Sequence, residues 1–440
     1  MPPLDPVTQS AHRPGAVDVV VIGGGIIGAA TAFYLQRAGC SVMLCEKGVI
    51  AGEQSGRNLG WCRTLGRDLR ELPLMLEAME IWRQTPELLG ADAGFRTNGV
   101  VYLCDNEQEL TKHSDWLKSA EPLGARARVL DRNGVAELLP MASRSWHGAV
   151  YAETDGCAEP QLAAPAFAKA AQRAGAIISL NDAVRGIETT AGRVSAAVTE
   201  KGVVKCGAVI VAGGTWSSQF LGNLRIRFPQ LSVMTSAQCT EPGATPLTAS
   251  LTGSGFITRK RLDGGYNVLC YGGEIHHITP SSLRFLWDFR HLATSDTKVK
   301  VRLSRESFRS FHWKQSWRND QRSPFESVRM WDPAYDETNL AAGIQIAAAA
   351  LPMFQNVEIA QRWAGVIDVT PDALPVISAI AARPGLFLSS GYSGHGFGIG
   401  PAAGRLTADM VLGRASAQDL HTYRLERFTD GGIRPGPAVR

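Results

Sequence analysis

The sequence predicts an α/β protein in which a doubly wound domain on a parallel sheet alternates along the chain with an α+β domain on an antiparallel sheet. Two observations support this fold class. Apolar strands that end in glycine-rich turns recur at residues 17–28, 208–216 and 386–398, and helical segments follow the first and the last. Between them the chain changes to short strands and polar helices, which indicates that a second domain is inserted twice.

The first strand and turn have the spacing of a dinucleotide site. Residues 17–22 predict a buried strand, residues 23–28 read Gly-Gly-Gly-Ile-Ile-Gly, and residues 29–38 have helical composition. The glycines allow a tight turn, a close approach of the backbone to a pyrophosphate, and close packing of helix on strand. A second strand, residues 41–45, ends at an acidic residue that can accept both ribose hydroxyls of an adenosine. The predicted nucleotide contacts are Gly23, Gly25, Ile27, Gly28, Glu46 and Lys47.

An irregular polar loop follows the second strand at residues 51–63. A nicotinamide-dependent enzyme would usually continue into another crossover helix, whereas small donors in such a loop can reach phosphate and ring oxygens. With this loop the chain resembles the D-amino-acid oxidase and sarcosine oxidase superfamily of flavoproteins, whose members wrap it over the pyrophosphate and the flavin. The resemblance implies bound FAD. It also implies FAD contacts from Gln54, Ser55, Arg57, Asn58, Leu59 and Gly60.

The resemblance covers nearly the whole chain and is strongest at residues 17–63, 155–216 and 361–412. It implies a glutathione-reductase-type, FAD-binding Rossmann domain formed by residues 1–95, 155–235 and 355–440. Residues 96–154 and 236–354 are then expected to form the substrate-binding domain. Further FAD contacts are implied at Val184, Gly213, Trp216, Gly394, His395, Gly396, Phe397 and Gly398.

The last glycine-rich turn precedes a helix, so its amides and the positive end of the helix dipole face whatever lies above them. In the family this partner is the N1/C2 edge of the isoalloxazine, where negative charge develops when an amine gives a hydride to N5. Amides at residues 396–398 would stabilise that charge. We therefore expect FAD-dependent oxidation of an amino-acid C–N bond, from amine to imine followed by hydrolysis. The expected substrate is a D-amino acid or an N-substituted amino acid such as an opine.

An arginine is the expected clamp for the substrate carboxylate, because its planar fork binds two oxygens at once. The candidates are Arg63, Arg261 and Arg362, of which Arg63 approximately matches an arginine of sarcosine oxidase relatives. Candidates for the wall of the pocket, with core packing as the alternative for each, are Tyr271, Trp363 and Tyr392.

Two features depart from sarcosine oxidase. Gly398 stands where that enzyme has a lysine after the Gly-His-Gly-Phe motif, and residues 266–271, which correspond to the strand of its oxygen-activating lysine, contain no lysine. The electron acceptor is expected to be O2 or a quinone or partner flavoprotein, and the missing lysine favours the latter two. His395 is expected to contact the flavin, with acid–base catalysis as the alternative. Covalent attachment of FAD at Cys62 or His395 is left open.

Residues 284–329 carry eleven Lys or Arg against five Asp or Glu, interleaved with aromatic residues. This stretch allows an alternative function, as an FAD-binding subunit of a heteromeric complex or as a relative that modifies nucleosides in RNA. We favour amphipathic helices with aromatic side chains inward and charges solvated, and therefore no nucleic-acid partner. An aromatic hydroxylase would have an acidic Gly-Asp loop before the last helix, and residues 391–398 contain no Asp.

Composition supports a globular enzyme of ordinary type. The 440 residues suffice for two domains, and a net charge of +4 does not by itself indicate a nucleic-acid or membrane partner. The eight cysteines contain no CxxC pair, so we expect reduced, mostly buried thiols and no metal site. The sequence has no apolar run long enough for a transmembrane helix, and the first sixteen residues lack the apolar core of a signal peptide. We expect a cytoplasmic protein and leave its oligomeric state open.

Overall fold

The computed structural model describes residues 3–243, 247–290 and 299–432. Within them, six strands form one sheet, here called the parallel sheet because only its first edge strand runs antiparallel. In spatial order its strands are Val376–Ala379, Leu386–Ser390, Ala208–Val211, Val19–Ile22, Val42–Cys45 and Ile177–Ser179. The chain's first strand lies at the centre of the sheet and is apolar throughout, as a strand covered on both faces requires. A ligand crevice in such a sheet opens beyond the carboxyl ends of the strands.

Four helices pack together beside the parallel sheet. They are Ile26–Arg37, Leu72–Leu89, Pro160–Arg173 and Gly396–Val411. The first and last approach closely, because a Cβ on Gly404 would lie only 2.5 Å from the Cβ of Ala30. The second begins at Leu72, directly after a turn at residues 69–71. The remaining α-helices of the described residues are Gln54–Arg57, Glu107–Ala120, Arg132–Leu138, Ser217–Asn223, Pro280–Arg284, Arg305–Phe311, Pro324–Ser327 and Glu337–Ala350.

A larger sheet forms the second layer, and most of its neighbouring strands are antiparallel, as expected. Parallel pairing occurs between Val100–Cys104 and Ser250–Gly253, and between Ile275–His277 and Lys300–Arg302. In spatial order its strands are Lys300–Arg302, Ile275–His277, Leu231–Thr240, Tyr266–Cys270, Phe256–Lys260, Ser250–Gly253, Val100–Cys104, Gly148–Ala152 and Arg128–Asp131, with Ile359–Val369 paired to Leu231–Thr240. Two small sheets consist of Val184–Thr190, Arg193–Thr199 and Gly202–Lys205, and of Trp61–Cys62, Gly156–Cys157 and Arg96–Thr97.

The larger sheet extends past the boundaries expected for the substrate domain. Leu231–Thr240 crosses the boundary at residue 235, and Ile359–Val369 lies beyond the boundary at residue 354. These two strands pair along their whole length and carry the chain back towards the parallel sheet. The division into two domains remains a prediction, and these strands connect its two parts.

In its described residues the basic, aromatic stretch contains two short helices, Arg305–Phe311 and Pro324–Ser327, and its aromatic side chains divide between core and surface. Trp317 is buried and packs edge-on against Phe325, in agreement with the expected inward orientation. Trp287 is 75 % exposed and Phe308 is 59 % exposed, so for these two side chains the expectation was wrong. Residues 291–298 of this stretch lie outside the described residues.

All eight cysteines are free thiols, six of them buried. Burial raises the pKa of the Cys62 thiol well above its usual value. No helix in the described part of the chain is both long and apolar enough to cross a bilayer. Within the same residues, His, Cys, Asp and Glu form no cluster that could hold a metal ion.

Candidate active site

A continuous cavity of about 970 Å³ lies at the carboxyl ends of the parallel strands and reaches the larger sheet. Its floor consists of residues 22–27, 211–214 and 394–398, which follow three neighbouring strands. Its far wall comes from the larger sheet and includes Tyr102, Thr252, Leu269 and Tyr271. One cavity thus connects the expected nucleotide site with the expected substrate domain. A bound nucleotide and a substrate could therefore meet inside it.

The first glycine turn is shaped by backbone contacts that admit no side chain. Gly23 has φ 105°, and a Cβ there would lie 2.4 Å from the carbonyl oxygen of Ala212. A Cβ on Gly28 would lie 2.0 Å from the carbonyl oxygen of Gly23. The turn therefore brings the amino end of helix Ile26–Arg37 to the cavity floor, where backbone amides and the helix dipole favour an anion.

Glu46 lines the cavity and is held by backbone amides. Its two carboxylate oxygens accept hydrogen bonds from the amides of Gly24 and Gly48, each at 2.7 Å. Burial raises its pKa, and the Lys47 charge and the two amides oppose that rise only in part. A carboxylate has about four lone-pair sites, so two remain for hydroxyl donors of a ligand.

The loop after the second strand is held in place by its own side chains. The Ser55 hydroxyl accepts from the amide of Ile26 at 2.9 Å, which fixes the loop to the first helix. The Asn58 amide group donates to the carbonyl of Gln54 at 3.0 Å, and its oxygen accepts from the amide of Gly60 at 2.7 Å. Ser55 and Asn58 therefore shape the loop while they line the cavity.

A buried carboxylate supports the next part of the loop. Asp155 accepts from the amides of Thr64 at 2.9 Å and Leu65 at 3.0 Å, and from the Thr64 hydroxyl at 2.8 Å. Burial nevertheless raises the pKa of Asp155. This anchor fixes the backbone that carries Arg63.

Arg63 differs from the other arginines that line the cavity. Arg57, Arg67 and Arg329 each form an ion pair with a carboxylate. Arg63 is only 8 % exposed, yet in the described part of the chain no carboxylate pairs with it. Its guanidinium donates to the carbonyl of Leu65 and lies 5.6 Å from the ring centre of Tyr102. The charge of Arg63 acts on the buried Asp155 without forming an ion pair with it, so the guanidinium is suited to bind an anionic group of a ligand.

The last glycine turn packs against the first loop. A Cβ on Gly398 would lie 3.0 Å from the carbonyl oxygen of Trp61, so the backbone here leaves little room for the lysine of sarcosine oxidase. The buried Asp368 accepts from the amide of Gly391 at 2.9 Å and fixes the start of the turn. The turn thus presents residues 394–398 to the cavity from a rigid support.

A family model described as FAD dependent oxidoreductase, DAO, matches residues 18–410. The chain belongs to this family of FAD-dependent oxidoreductases. It is therefore a flavoprotein that oxidises amino acids or related amines, and its fold is the one that the sequence predicted.

Individual relatives agree with the family. Sarcosine oxidase subunit beta of Rhodobacter capsulatus is 23 % identical over 96 % of this chain and 92 % of its own. Glycine oxidase of Bacillus subtilis is 24 % identical over 93 % of this chain and 97 % of its own. Among solved structures, an L-amino acid deaminase from Proteus myxofaciens in complex with anthranilate has a TM-score of 0.94 at 32 % identity, covering 98 % of this chain and 97 % of that chain. The L-amino acid deaminase from Proteus vulgaris has a TM-score of 0.92 at 30 % identity, covering 96 % and 100 %.

The cavity fits the family's FAD by the chemistry of its donors. Glu46 offers acceptors for ribose hydroxyls, the turn at residues 23–28 offers amides for a pyrophosphate, and the turn at residues 394–398 offers amides for a flavin edge. These three features line a single cavity, as an extended dinucleotide requires. They are the residues that could hold FAD.

Most of the expected FAD contacts line the cavity. They are Gly23, Gly25, Ile27, Glu46, Lys47, Gln54, Ser55, Arg57, Asn58, Leu59, Val184, Gly213, Trp216, Gly394, His395, Gly396, Phe397 and Gly398. Gly28 and Gly60 lie behind the lining and allow close backbone packing instead, since a Cβ on Gly60 would lie 2.1 Å from the carbonyl oxygen of Ala158.

The structure separates the expected substrate residues into two groups. Arg63, Tyr271 and Tyr392 line the cavity, although the Tyr392 hydroxyl is bonded to that of Ser389 at 2.8 Å. Arg261, Arg362 and Trp363 are placed outside the lining. Arg261 pairs with Asp263 in a turn, Arg362 is exposed on its strand, and the indole of Trp363 donates to the carbonyl of Arg57 at 2.9 Å.

Several lining residues were not expected. Tyr102, His113 and Trp116 approach Arg63 from the larger sheet and the helix that covers it, and the rings of His113 and Tyr102 are 5.1 Å apart. Burial lowers the pKa of His113, with the Lys112 charge acting in the same direction. Glu53 accepts from the Trp216 indole at 2.8 Å and from Lys47 at 2.7 Å. Nothing in the local sequence distinguishes these residues, because their proximity arises only from the tertiary fold.

Proposed function

We propose that the protein catalyses oxidative deamination of a free α-amino acid, and that Arg63 holds the substrate carboxylate. The observation that carries the proposal is Arg63 itself, a buried arginine that lines the cavity without a carboxylate partner in the described residues. Asp155 fixes its backbone, so the guanidinium is positioned before a ligand binds. Such preorganisation is what orients one C–N bond towards a cofactor.

The cavity supports the remaining requirements of the reaction. Cα and the amine nitrogen each lose one hydrogen, a C=N bond forms, and water then cleaves it to a 2-oxo acid and ammonia. FAD, when bound, accepts the two electrons. His113 and Arg63 both face the Tyr102 ring, and burial disfavours the charged form of His113, so a neutral imidazole lies beside the proposed carboxylate clamp.

We propose an L-amino acid as the substrate. The two Proteus deaminases share 32 % and 30 % identity with the chain over nearly its whole length, and their names specify L-amino acids. D-amino acids and opines, expected from the sequence, are the second candidate. The likeness to an iminodiacetate oxidase at 18 % identity supports only the shared fold.

We propose further that the natural electron acceptor is a quinone or a partner flavoprotein rather than O2. Strand Tyr266–Cys270 contributes Leu269 and Cys270 to the cavity wall and contains no lysine. Lys47 lines the cavity but is engaged by Glu53 and by two carbonyl groups. Lys112 also lines the cavity beside His113 but is exposed to solvent, so the proposal rests on the strand Tyr266–Cys270, which offers no lysine.

One anaerobic experiment tests these proposals together. Purified holoprotein is mixed with L-amino acids, D-amino acids, N-methyl amino acids and opines, and the visible absorbance of the flavin is followed. Bleaching by L-amino acids, with formation of a 2-oxo acid and ammonia, is the expected result. Bleaching by D-amino acids or opines alone would show that the substrate belongs to the second candidate class and that the L-amino acid proposal is wrong. If no amine bleaches the flavin, the function proposed here is wrong. Readmission of air is expected to restore the colour more slowly than a quinone does.

A further inference from the structure

Three ionisable side chains meet in the protein interior behind the last glycine turn. His395 is 6 % exposed, and its Nδ1 lies 3.1 Å from Oε1 of Glu71. The other oxygen of Glu71 lies 3.6 Å from Nη1 of Arg67, and Arg67 donates through Nη2 to the carbonyl oxygen of His395 at 3.4 Å. Glu71 is 0 % exposed and Arg67 is 2 % exposed, so water does not solvate either charge.

Besides Arg63, whose charge disfavours the charged form of Arg67, the cluster has Asp68 and Arg70 as charged neighbours, and these two engage each other. Asp68 forms a two-pronged hydrogen bond with Arg70, through Nε at 2.9 Å and Nη2 at 2.7 Å. The Tyr423 hydroxyl donates to the carbonyl of Arg70 at 3.0 Å, and the Tyr392 hydroxyl is bonded to Ser389. Neither carboxylate oxygen of Glu71 has a fully formed hydrogen bond, and neither ring nitrogen of His395 has one. The negative charge of the Glu71 carboxylate is therefore compensated by Arg67 and His395.

The chemistry of these groups fixes where one proton resides. A carboxylate only accepts hydrogen bonds, so its approach to Nδ1 requires a proton on that nitrogen. Burial lowers the pKa of Arg67 to about 10, which still leaves its guanidinium charged at neutral pH. The charges of Arg67 and Glu71 therefore cancel each other within the ion pair.

We propose that Glu71 is a positioning residue for His395 and that the Glu71–Arg67 pair keeps the region behind the flavin-binding turn electrically neutral. His395 is the residue before helix Gly396–Val411, and it lines the cavity together with residues 394–398. The charge of this cluster therefore acts on the edge of the cavity where negative charge develops when FAD is reduced. The proposal rests on the assignment of the flavin to this turn.

The neutral cluster predicts a definite change in the flavin midpoint potential. Glu71→Gln keeps the shape and an oxygen acceptor for Nδ1, but it leaves the Arg67 charge uncompensated. A positive charge near the turn stabilises reduced flavin, so the midpoint potential of Glu71→Gln is expected to rise. The double variant Glu71→Gln/Arg67→Met removes both charges, and its potential is expected to return towards that of the wild type.

The test is a reductive titration of the holoprotein with a chemical reductant and a reference dye, which requires no amine substrate. Asp372→Asn is the matched control, since Asp372 is 1 % exposed, pairs with Arg427 and lies outside the cavity lining. Asp372→Asn is expected to lower the melting temperature without a change in potential. His395→Asn keeps a donor where Nδ1 lies and is expected to retain FAD better than His395→Leu.

A Glu71→Gln protein that binds FAD with an unchanged potential would overturn the inference, and so would equal potential shifts in the single and the double variant. Should Glu71→Gln fail to bind FAD, the double variant decides, because its neutral cluster is expected to bind FAD and to titrate near the wild-type potential. If Glu71→Gln has the wild-type midpoint potential while the wild type oxidises amino acids, this inference is refuted and the proposed function is not. A potential shift in a protein that no amine reduces would refute the proposed function alone.

Discussion

Arg259 and Glu159 form a bidentate ion pair between the larger sheet and the helices beside the parallel sheet, with Nη1–Oε1 at 2.6 Å and Nη2–Oε2 at 3.0 Å. Arg259 lies on strand Phe256–Lys260, and Glu159 precedes helix Pro160–Arg173. Both side chains are buried, and Glu159 also accepts from the amide of Leu262 at 2.9 Å. The pair thus joins the two layers that enclose the cavity.

Removal of one partner of this pair is expected to destabilise the protein strongly. Arg259→Met leaves a buried carboxylate uncompensated, for which about 3–5 kcal/mol of unfolding free energy is typical. The double variant Arg259→Met/Glu159→Leu is expected to recover much of that loss. Thermal unfolding of the three proteins at equal FAD occupancy checks this, and equal losses in the single and double variants would contradict it.

The same pair predicts acid sensitivity. Burial would raise the pKa of Glu159, but the Arg259 charge and its hydrogen bonds outweigh burial and lower it below the ordinary 4.5. A carboxylate with a lowered folded-state pKa contributes stability above its unfolded-state pKa and loses it as the pH falls through the folded value. Below pH 4.5 the melting temperature of the wild type is therefore expected to fall more steeply than that of Arg259→Met/Glu159→Leu. A difference that stays constant with pH would show that Glu159 is not the titrating group.

Arg63 variants are expected to affect substrate binding more than FAD binding. Arg63→Ala removes a charge-assisted, two-pronged contact and is expected to raise the KM for amino acids about 10- to 100-fold. Arg63→Lys keeps the charge but loses the planar fork, and an intermediate KM is expected. Arg261→Ala is the control, since Arg261 pairs with Asp263 outside the cavity lining. An unchanged KM in Arg63→Ala would exclude Arg63 as the carboxylate clamp.

Glu46 is expected to make FAD affinity depend on pH. Its pKa is raised above 4.5, so acidification protonates it at a higher pH than an ordinary glutamate and removes an acceptor for the ribose. FAD dissociation is expected to increase as the pH falls through that raised value. Glu46→Gln is expected to bind FAD about 10- to 100-fold more weakly at neutral pH, with a smaller pH dependence. Ultrafiltration of the holoproteins across pH measures the released flavin, and parallel curves for the two proteins would refute this role.

The first glycine turn is expected to tolerate no added methyl group. Gly28→Ala places a Cβ 2.0 Å from the carbonyl oxygen of Gly23, so the helix must move away from the strand. The flavin-to-protein ratio after purification is expected to fall severalfold. Gly15→Ala is the control, because a Cβ there meets no atom within 4 Å. A Gly28→Ala protein with full FAD occupancy after purification would contradict this account of the turn.

Local signals made the nucleotide-binding elements predictable from sequence. Helix Glu107–Ala120 has a local start signal, since the Asn106 side chain accepts from the amide of Glu109. The last helix begins at Gly396, inside the glycine-rich turn, where low helix propensity hides its start but the absence of side chains permits close packing. A Cβ on Gly400 would lie 2.7 Å from the side chain of Ile26.

The substrate side was less predictable, because its residues meet through tertiary packing alone. Arg63, Arg261 and Arg362 were all candidates in sequence, and only an approximate family match favoured Arg63. The placement of Asp263 and of the cavity distinguishes them. The contact between Glu71 and His395 joins segments far apart in the chain, and no sequence motif predicts it. The outward position of Trp287 likewise depends on which face of a short segment is covered.

The order of strands in the parallel sheet also constrains how the enzyme is made. Its central strand, Val19–Ile22, is synthesised early, but its neighbour Ala208–Val211 and the turn at residues 394–398 emerge much later. At about 5–20 residues per second, the first strand waits tens of seconds for the last part of the cofactor site. FAD can therefore enter only after nearly the whole chain has left the ribosome. Until then the nascent chain exposes unpaired strand edges, which favour aggregation, so we expect co-expressed chaperones to raise the yield of folded protein.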